Sequence, residues 1–177
     1  MRLFIAIPVP CTLLIRSLLK QLREMGTAIR TVDPSQFHIT VKFLGDVPDE
    51  KVPQLKELVW QTQEMPIDRL NLFGLGAFPR LERPEVIWIG VERNPSLIQL
   101  NKHLEDSCAQ LGFPRETRSY SPHLTLARIK RKPPAALARL LAEHTSTLFG
   151  EHSVPQVVLY RSDLRPSGPI YTQLDEM

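Results

Sequence analysis

The sequence predicts an α+β fold in which two antiparallel sheets face one another across a central cleft with helices outside, and three observations carry that reading. Short apolar segments of strand character alternate along the chain with segments of helical period, rather than being grouped by type. Residues 37–44 and 122–128 alternate apolar and polar side chains in a two-residue period, the pattern of half-buried strands. The order strand, helix, alternating strand, helix then occurs twice, which points to a degenerate internal duplication and so to two pseudo-repeated lobes within one domain spanning 1–177.

Each element follows from local chemistry. Residues 3–7, Leu-Phe-Ile-Ala-Ile, form a short apolar run closed by prolines and read as a buried strand. From Thr12 to Met25 the leucines and isoleucines recur at helical spacing, and Gly26 stands where a left-handed residue would end the helix. After an Asp33-Pro34 turn comes the first alternating strand. A helix over 49–63 tolerates Pro53 because it falls in the first turn. Residues 67–73 read as a strand and 74–84, rich in turn formers, as a loop. A strand over 86–91 restarts the scheme, and Asn94-Pro95 supplies a cap and first-turn pair for a helix running to about Leu111, closed by Gly112. After the second alternating strand, a helix is expected over 134–149 and late strands over 157–161 and 170–174.

With 177 residues, 42% hydrophobic and 23% charged, the chain has the size and composition of one soluble globular domain, which excludes disordered and fibrous classes. A net charge of +3 permits a polyanionic partner without demanding one. Cys11 and Cys108 lie far apart and outside any paired metal-ligand spacing, so a reducing cytoplasm is the expected setting. The apolar stretch from Leu3 to Ile15 is broken by Pro8 and Pro10, too short for a membrane span. A monomer is expected, with no membrane association and no obligate protein partner.

Chemistry concentrates in the two alternating strands, each carrying His-x-Thr. In the first, strict alternation would bury Phe37, Ile39, Val41 and Phe43 and place His38, Thr40 and Lys42 together on the other face. In the second it buries Leu124 and Leu126 and presents His123 with Thr125. One His-x-Thr is commonly a solvated strand face; two in one register suit phosphoryl chemistry. A cyclic phosphodiester opens by in-line displacement, with entering and leaving oxygens on opposite sides of phosphorus. Two imidazoles of ordinary pKa near 6.5 can divide removal and supply of protons between them, while each threonine hydroxyl donates to a non-bridging oxygen. No carboxylate or cysteine stands at ligand spacing beside either histidine, which ranks a shared metal site below acid/base use. His103, His144 and His152 read as surface residues. No glycine-rich phosphate loop with Lys-Ser/Thr is present, which argues against ATP-driven chemistry.

These motifs, with the opening Arg-Leu-Phe-Ile-Ala-Ile, the segments Phe-His-Ile-Thr-Val-Lys-Phe-Leu-Gly and Ser-Pro-His-Leu-Thr-Leu-Ala-Arg, and Leu-Tyr-Arg-Ser-Asp-Leu near the C-terminus, resemble the 2H phosphoesterase superfamily and within it the RNA 2',3'-cyclic phosphodiesterase (2'-5' RNA ligase) family. The resemblance implies hydrolysis of RNA 2',3'-cyclic phosphate ends to 2'-phosphomonoesters, with His38 as proton donor to the departing 3'-oxygen and His123 as proton acceptor from water. Thr40 and Thr125 would bind the phosphate. It also implies ATP-independent 2'-5' ligation when an RNA 5'-hydroxyl replaces water, and no cofactor or metal. Two further residues are carried over from the family: Arg128, an arginine five residues after the second histidine, and Phe78, an aromatic that stacks on the terminal base or simply packs beside Pro79. Strict alternation sends Arg128 to the core side, so the strand must end or bulge before it if the side chain is to reach phosphate. Lys42 replaces the apolar residue often found at its position. As a cation beside His38 it would lower that imidazole's pKa; it either contacts phosphate or points to solvent. Arg115, Arg118, Arg128, Lys130, Arg131 and Lys132 form a basic run that either guides an RNA backbone or is solvated loop. The competing readings are a phosphodiesterase acting on small cyclic nucleotides or 2'-5' oligoadenylates, and a non-catalytic RNA-binding module.

Overall fold

In the computed structural model, which describes residues 1–154 and 156–174, the mixed periodicities resolve into four α-helices and nine strands. The first half contains β1 (Arg2–Pro8), α1 (Leu13–Glu24), β2 (Ile29–Thr31), β3 (His38–Asp46) and α2 (Val52–Thr62). The second contains β4 (Leu70–Arg80), β5 (Arg83–Val91), α3 (Pro95–Gln110), β6 (His123–Ile129), α4 (Ala136–Glu143), β7 (Leu148–His152), β8 (Val158–Asp163) and β9 (Ile170–Gln173). The caps form as their residues dictate. Thr12 accepts from the Ile15 N–H and Asn94 from the Leu97 N–H, satisfying donors that the first helical turn leaves unpaired. Gly26 and Gly112 take positive φ of 99° and 90° just past the ends of α1 and α3.

The strands pair antiparallel in the order β7-β4-β5-β6-β3-β1-β8-β9, with β2 added alongside part of β6. The two sheets expected from sequence are thus halves of one. They meet between β3 and β6, where Ile39 opposite Leu124 is the sole paired position. All four helices press their apolar stripes into a single core, with Ile15, Leu19, Leu55, Leu97, Leu104, Leu137 and Leu141 packed against Leu3, Ile5, Ile7, Ile39 and Leu124. The other face of β1 carries a separate small cluster of Phe4, Ala6, Val158 and Tyr160. No helix among the described residues is long and apolar enough to cross a membrane.

Three elements differ from the sequence-based expectation. The loop expected over 74–84 is mostly hairpin: β4 continues through Gly74 to Arg80, and β5 begins at Arg83. Gly74 is an extra residue between the Phe73↔Gly90 and Leu75↔Ile89 pairs, a bulge at positive φ where a Cβ would come within 2.7 Å of the Thr145 carbonyl. The helix expected to reach Phe149 stops at Glu143, and the chain turns at His144 to Thr147 into edge strand β7, whose Leu148 pairs with Phe73. β2, three residues long, is too short to show a period at all.

Candidate active site

The site is built on the face opposite the helices, by β3 and β6 and the strands flanking them. His38 and His123 stand at corresponding ends of β3 and β6, each adjacent in sequence to one member of the Ile39–Leu124 pair that joins the half-sheets. Each imidazole is anchored in the same way. His38 Nδ1 lies 2.8 Å from the Gln36 carbonyl and His123 Nδ1 lies 2.8 Å from the Ser121 carbonyl. A carbonyl oxygen only accepts, so each Nδ1 carries the hydrogen, and Nε2 is the atom left to exchange a proton.

Aromatic side chains fix the rings. His38 is flanked by Phe4 at 4.9 Å and, edge-on, by Tyr171 at 4.9 Å, with Tyr160 stacked on Phe4 behind it. His123 is flanked edge-on by Phe78 at 4.9 Å, with Trp88 at 6.1 Å. Each such pair is worth about 0.5–1.5 kcal/mol beyond its buried area. Burial holds the His38 imidazole below the usual histidine value; the Gln36 carbonyl opposes this and the nearby His123 charge adds to it. Burial likewise lowers His123 against the upward pull of the Ser121 carbonyl.

Both strands break their alternation at the third residue after histidine. On β3, Ala6 pairs with Thr40 and Ile5 with Lys42, leaving Val41 as a bulge. On β6, Trp88 pairs with Thr125 and Ile87 with Ala127, leaving Leu126 as a bulge. The bulge carbonyls are satisfied from outside the ladders, Val41 by the Asn101 side-chain amide at 2.8 Å and Leu126 by the Val32 N–H at 2.7 Å. The consequence is a change of face. Residues at the fourth position after histidine turn to the core and those at the fifth turn to the site.

That shift settles where the expected residues go. Thr40 stays on the site face with His38, and Thr125 with His123, opposite Trp88. Arg128, opposite Val86, reaches the site face and is exposed, so the bulge that its role required is present. Lys42 is corrected: it does not share the face of His38 and Thr40. It is 3% exposed, and its Nζ lies 2.7 Å from the Glu105 carboxylate and 2.7 Å from the Pro114 carbonyl. It meets the cleft only at the wall it shares with those residues. Phe43, expected in the core, lies instead on the site face and is 50% exposed.

Two connected cavities open on this face, sharing Thr40 and Phe43. The larger, about 970 Å³, is lined by His123, Phe78, Tyr120, Arg115 and Arg118. The smaller, about 210 Å³, is lined by His38, Arg2, Arg128, Ser162 and Tyr171. Phe78 therefore both packs on His123 and borders the open cleft. Lys130, Arg131 and Lys132 line a separate depression with Arg83, away from both histidines. The arrangement offers two proton-exchanging nitrogens, one bordering each cavity, the Thr40 hydroxyl common to both, Thr125 beside His123 on the same strand face, and the Arg128 guanidinium, without an ion-pair partner among the described residues, at the smaller cavity. Among the described residues no three His, Cys, Asp or Glu side chains converge as a metal site would need.

The sequence reading missed Tyr120, whose hydroxyl donates to the Thr40 carbonyl at 3.0 Å and whose pKa burial raises. It missed Tyr171 as well, whose hydroxyl is pushed up by burial and drawn down by Arg128 and Arg2. A tyrosine next to the Ser-Pro-His motif was the available signal for the first; the second had none.

A model of the 2'-5' RNA ligase superfamily matches residues 13–166. The chain belongs to this superfamily. Among its relatives, RNA 2',3'-cyclic phosphodiesterase of Archaeoglobus fulgidus is 35% identical over 176 residues, covering 98% of each chain, and that of Methanocaldococcus jannaschii is 36% identical over 99% of each. Among solved structures, a Thermus thermophilus protein superimposes with a TM-score of 0.80 at 30% identity, covering 99% of this chain and 96% of the other. E. coli LigT complexed with 3'-AMP does so with a TM-score of 0.73 at 27% identity, covering 98% and 95%.

Proposed function

We propose that this protein is an RNA 2',3'-cyclic phosphodiesterase, opening the cyclic end to a 2'-phosphomonoester by acid/base catalysis between His38 and His123. The observation that carries the reading is the matched pair of imidazoles, each held by Nδ1 to the carbonyl two residues back, on strands that meet beside them. His123 Nε2 takes a proton from the attacking water while His38 Nε2 supplies one to the departing 3'-oxygen, so the ring strain of the ester is released without a charged leaving group. Thr40 and Thr125 hydroxyls and the Arg128 guanidinium donate to the non-bridging oxygens as charge builds in the transition state. Phe78, at the mouth of the larger cavity, stacks on a base.

The same geometry runs in reverse when an RNA 5'-hydroxyl stands in place of water, giving a 2'-5' linkage with energy drawn from the cyclic ester. The protein works as a cytoplasmic monomer in this reading, its thiols at Cys11 and Cys108 both free. The chain is in this reading one domain of two pseudo-repeated lobes, supported by the shared carbonyl anchor and the shared bulge at corresponding positions of the two His-x-Thr strands.

The test is incubation with a 2',3'-cyclic-phosphate RNA in chelator, followed by assignment of the product phosphate position. A 2'-phosphate is expected, with His38→Ala and His123→Ala each reducing turnover roughly 10²- to 10⁴-fold while retaining RNA binding. Full activity in either variant removes the two-histidine mechanism, and loss of wild-type activity in chelator restores a metal.

A further inference from the structure

Arg2 has no place in the chemistry described so far, yet it stands on the site face. It precedes Phe4 by two residues on β1, so both side chains point to the same side, and Phe4 packs on His38. Its guanidinium carbon lies 5.1 Å from the centroid of the Phe43 ring. Among the described residues no carboxylate lies within ion-pair distance of it, although Asp46 is its neighbour across the ladder. It borders the smaller cavity with His38, Arg128 and Tyr171, and its charge is felt at the Tyr171 hydroxyl.

An unpaired arginine laid on an aromatic face keeps its fork of N–H donors free while losing much of its rotational freedom, a combination suited to holding phosphate. The reacting phosphate already has Arg128 and two threonines. Arg2 enters from β1, two strands away from the β6 strand that carries Arg128, a spacing of roughly 10 Å across a sheet. A cyclic mononucleotide brings one anion to this cleft. An RNA end brings a second, the phosphodiester on the 5' side of its last nucleoside.

We propose that Arg2, seated on Phe43, is the subsite for that second phosphodiester, and that it selects an RNA chain end over a lone cyclic mononucleotide. This rests on the cyclic-phosphate reading above and adds to it the residue that recognises the polymer. Phe43 owes its position to the Val41 bulge, which turns it out of the core. It stands at the fifth residue after His38 as Arg128 does after His123. One half of the site therefore places a cation directly at that position and the other places a ring that carries one.

The experiment compares wild type, Arg2→Ala and Phe43→Leu on three substrates: a nucleoside 2',3'-cyclic phosphate, a dinucleotide with a 2',3'-cyclic end, and the same dinucleotide with a neutral methylphosphonate linkage. Arg2 is exposed, so Arg2→Ala is expected to fold as wild type does, checked by its melting curve. Loss of one charge-assisted contact predicts that Arg2→Ala lowers kcat/KM on the charged dinucleotide roughly 10- to 100-fold more than on the mononucleotide, chiefly through KM. The methylphosphonate should show no such excess, Phe43→Leu a smaller one, and the salt dependence of KM for the charged dinucleotide should fall by about one ion. An equal loss on mononucleotide and dinucleotide places Arg2 on the reacting phosphate and overturns the proposal, as does an equal loss on charged and neutral linkages. If wild type opens none of the three, the cyclic-phosphodiesterase reading fails by itself. Calorimetric affinities of wild type and Arg2→Ala for the 2'-phosphate dinucleotide with charged and neutral linkage then decide the Arg2 contact without turnover.

Discussion

Replacing Lys42 by Met separates a structural cation from a catalytic one. Lys42 Nζ is held at 2.7 Å by Glu105 and at 2.7 Å by the Pro114 carbonyl, with side-chain exposures of 2% and 14% for Lys42 and Glu105. Breaking a buried pair by removing one partner costs roughly 3–5 kcal/mol, because the other charge is left without compensation. Glu105 keeps the Glu116 N–H at 3.0 Å and some contact with water, so the expectation lies near the lower end, about 3 kcal/mol. With a urea slope of about 2 kcal/mol/M, the unfolding midpoint should fall by roughly 1.5 M with the slope unchanged. The double variant Lys42→Met/Glu105→Leu should regain all but about 1 kcal/mol of this, the share of the unmatched Pro114 carbonyl, since the Glu116 N–H that also loses its acceptor is exposed and turns to water. Turnover of the folded protein should change by less than about tenfold, or 1.4 kcal/mol of activation free energy, since the Lys42 ammonium is committed to Glu105 and the Pro114 carbonyl in the cleft wall. A variant as stable as wild type but inactive by more than a hundredfold would refute this assignment and return Lys42 to the phosphate.

Both histidines are held below the ordinary pKa of 6.5, so kcat/KM for a cyclic phosphate should peak on the acid side of pH 6.5; a maximum above pH 8 contradicts the burial argument. Because the folded protein then binds fewer protons at these rings than the unfolded chain, their contribution to stability is complete above pH 6.5. It is lost as pH falls through 6.5 toward the folded values, so the urea midpoint should drop over that window, and less steeply in His38→Gln. Gly76→Ala sets a Cβ 2.3 Å from the Trp88 ring, which should cost about 1–3 kcal/mol and disturb His123 through Trp88; a melting temperature equal to that of wild type would rule this out. Arg128→Lys keeps the charge but loses the fork, and should lower kcat roughly 10²- to 10³-fold with little change in KM; activity near that of wild type would place Arg128 outside the transition-state contacts.

The elements with strong local signals were legible in the sequence. Caps at Thr12 and Asn94, terminators at Gly26 and Gly112, and the two His-x-Thr strands rest on interactions within a few residues of one another. What could not be read depends on partners distant in the chain. Gly74 and Pro79 look like loop formers until β5 and β7 are alongside β4. The fates of Lys42, Phe43 and Arg128 turn on bulges whose carbonyls are met by Asn101 and Val32, and two-residue periodicity has no means of showing a skipped register. For Arg128 the expected role itself demands a bulge, and β6 supplies one. Lys42 and Phe43 carry no such demand, so strict alternation assigns each to the wrong face.

The Ile39–Leu124 rung is where β3 and β6 touch as neighbours in one sheet, and each histidine is the residue just before a member of that rung. The spacing between the two imidazoles is therefore set by backbone pairing inside a sheet rather than by loops. β2, laid along β6 at Ile29–Thr31, braces the same junction from the first half of the chain, so the gap that protons must cross is built into the ladder itself.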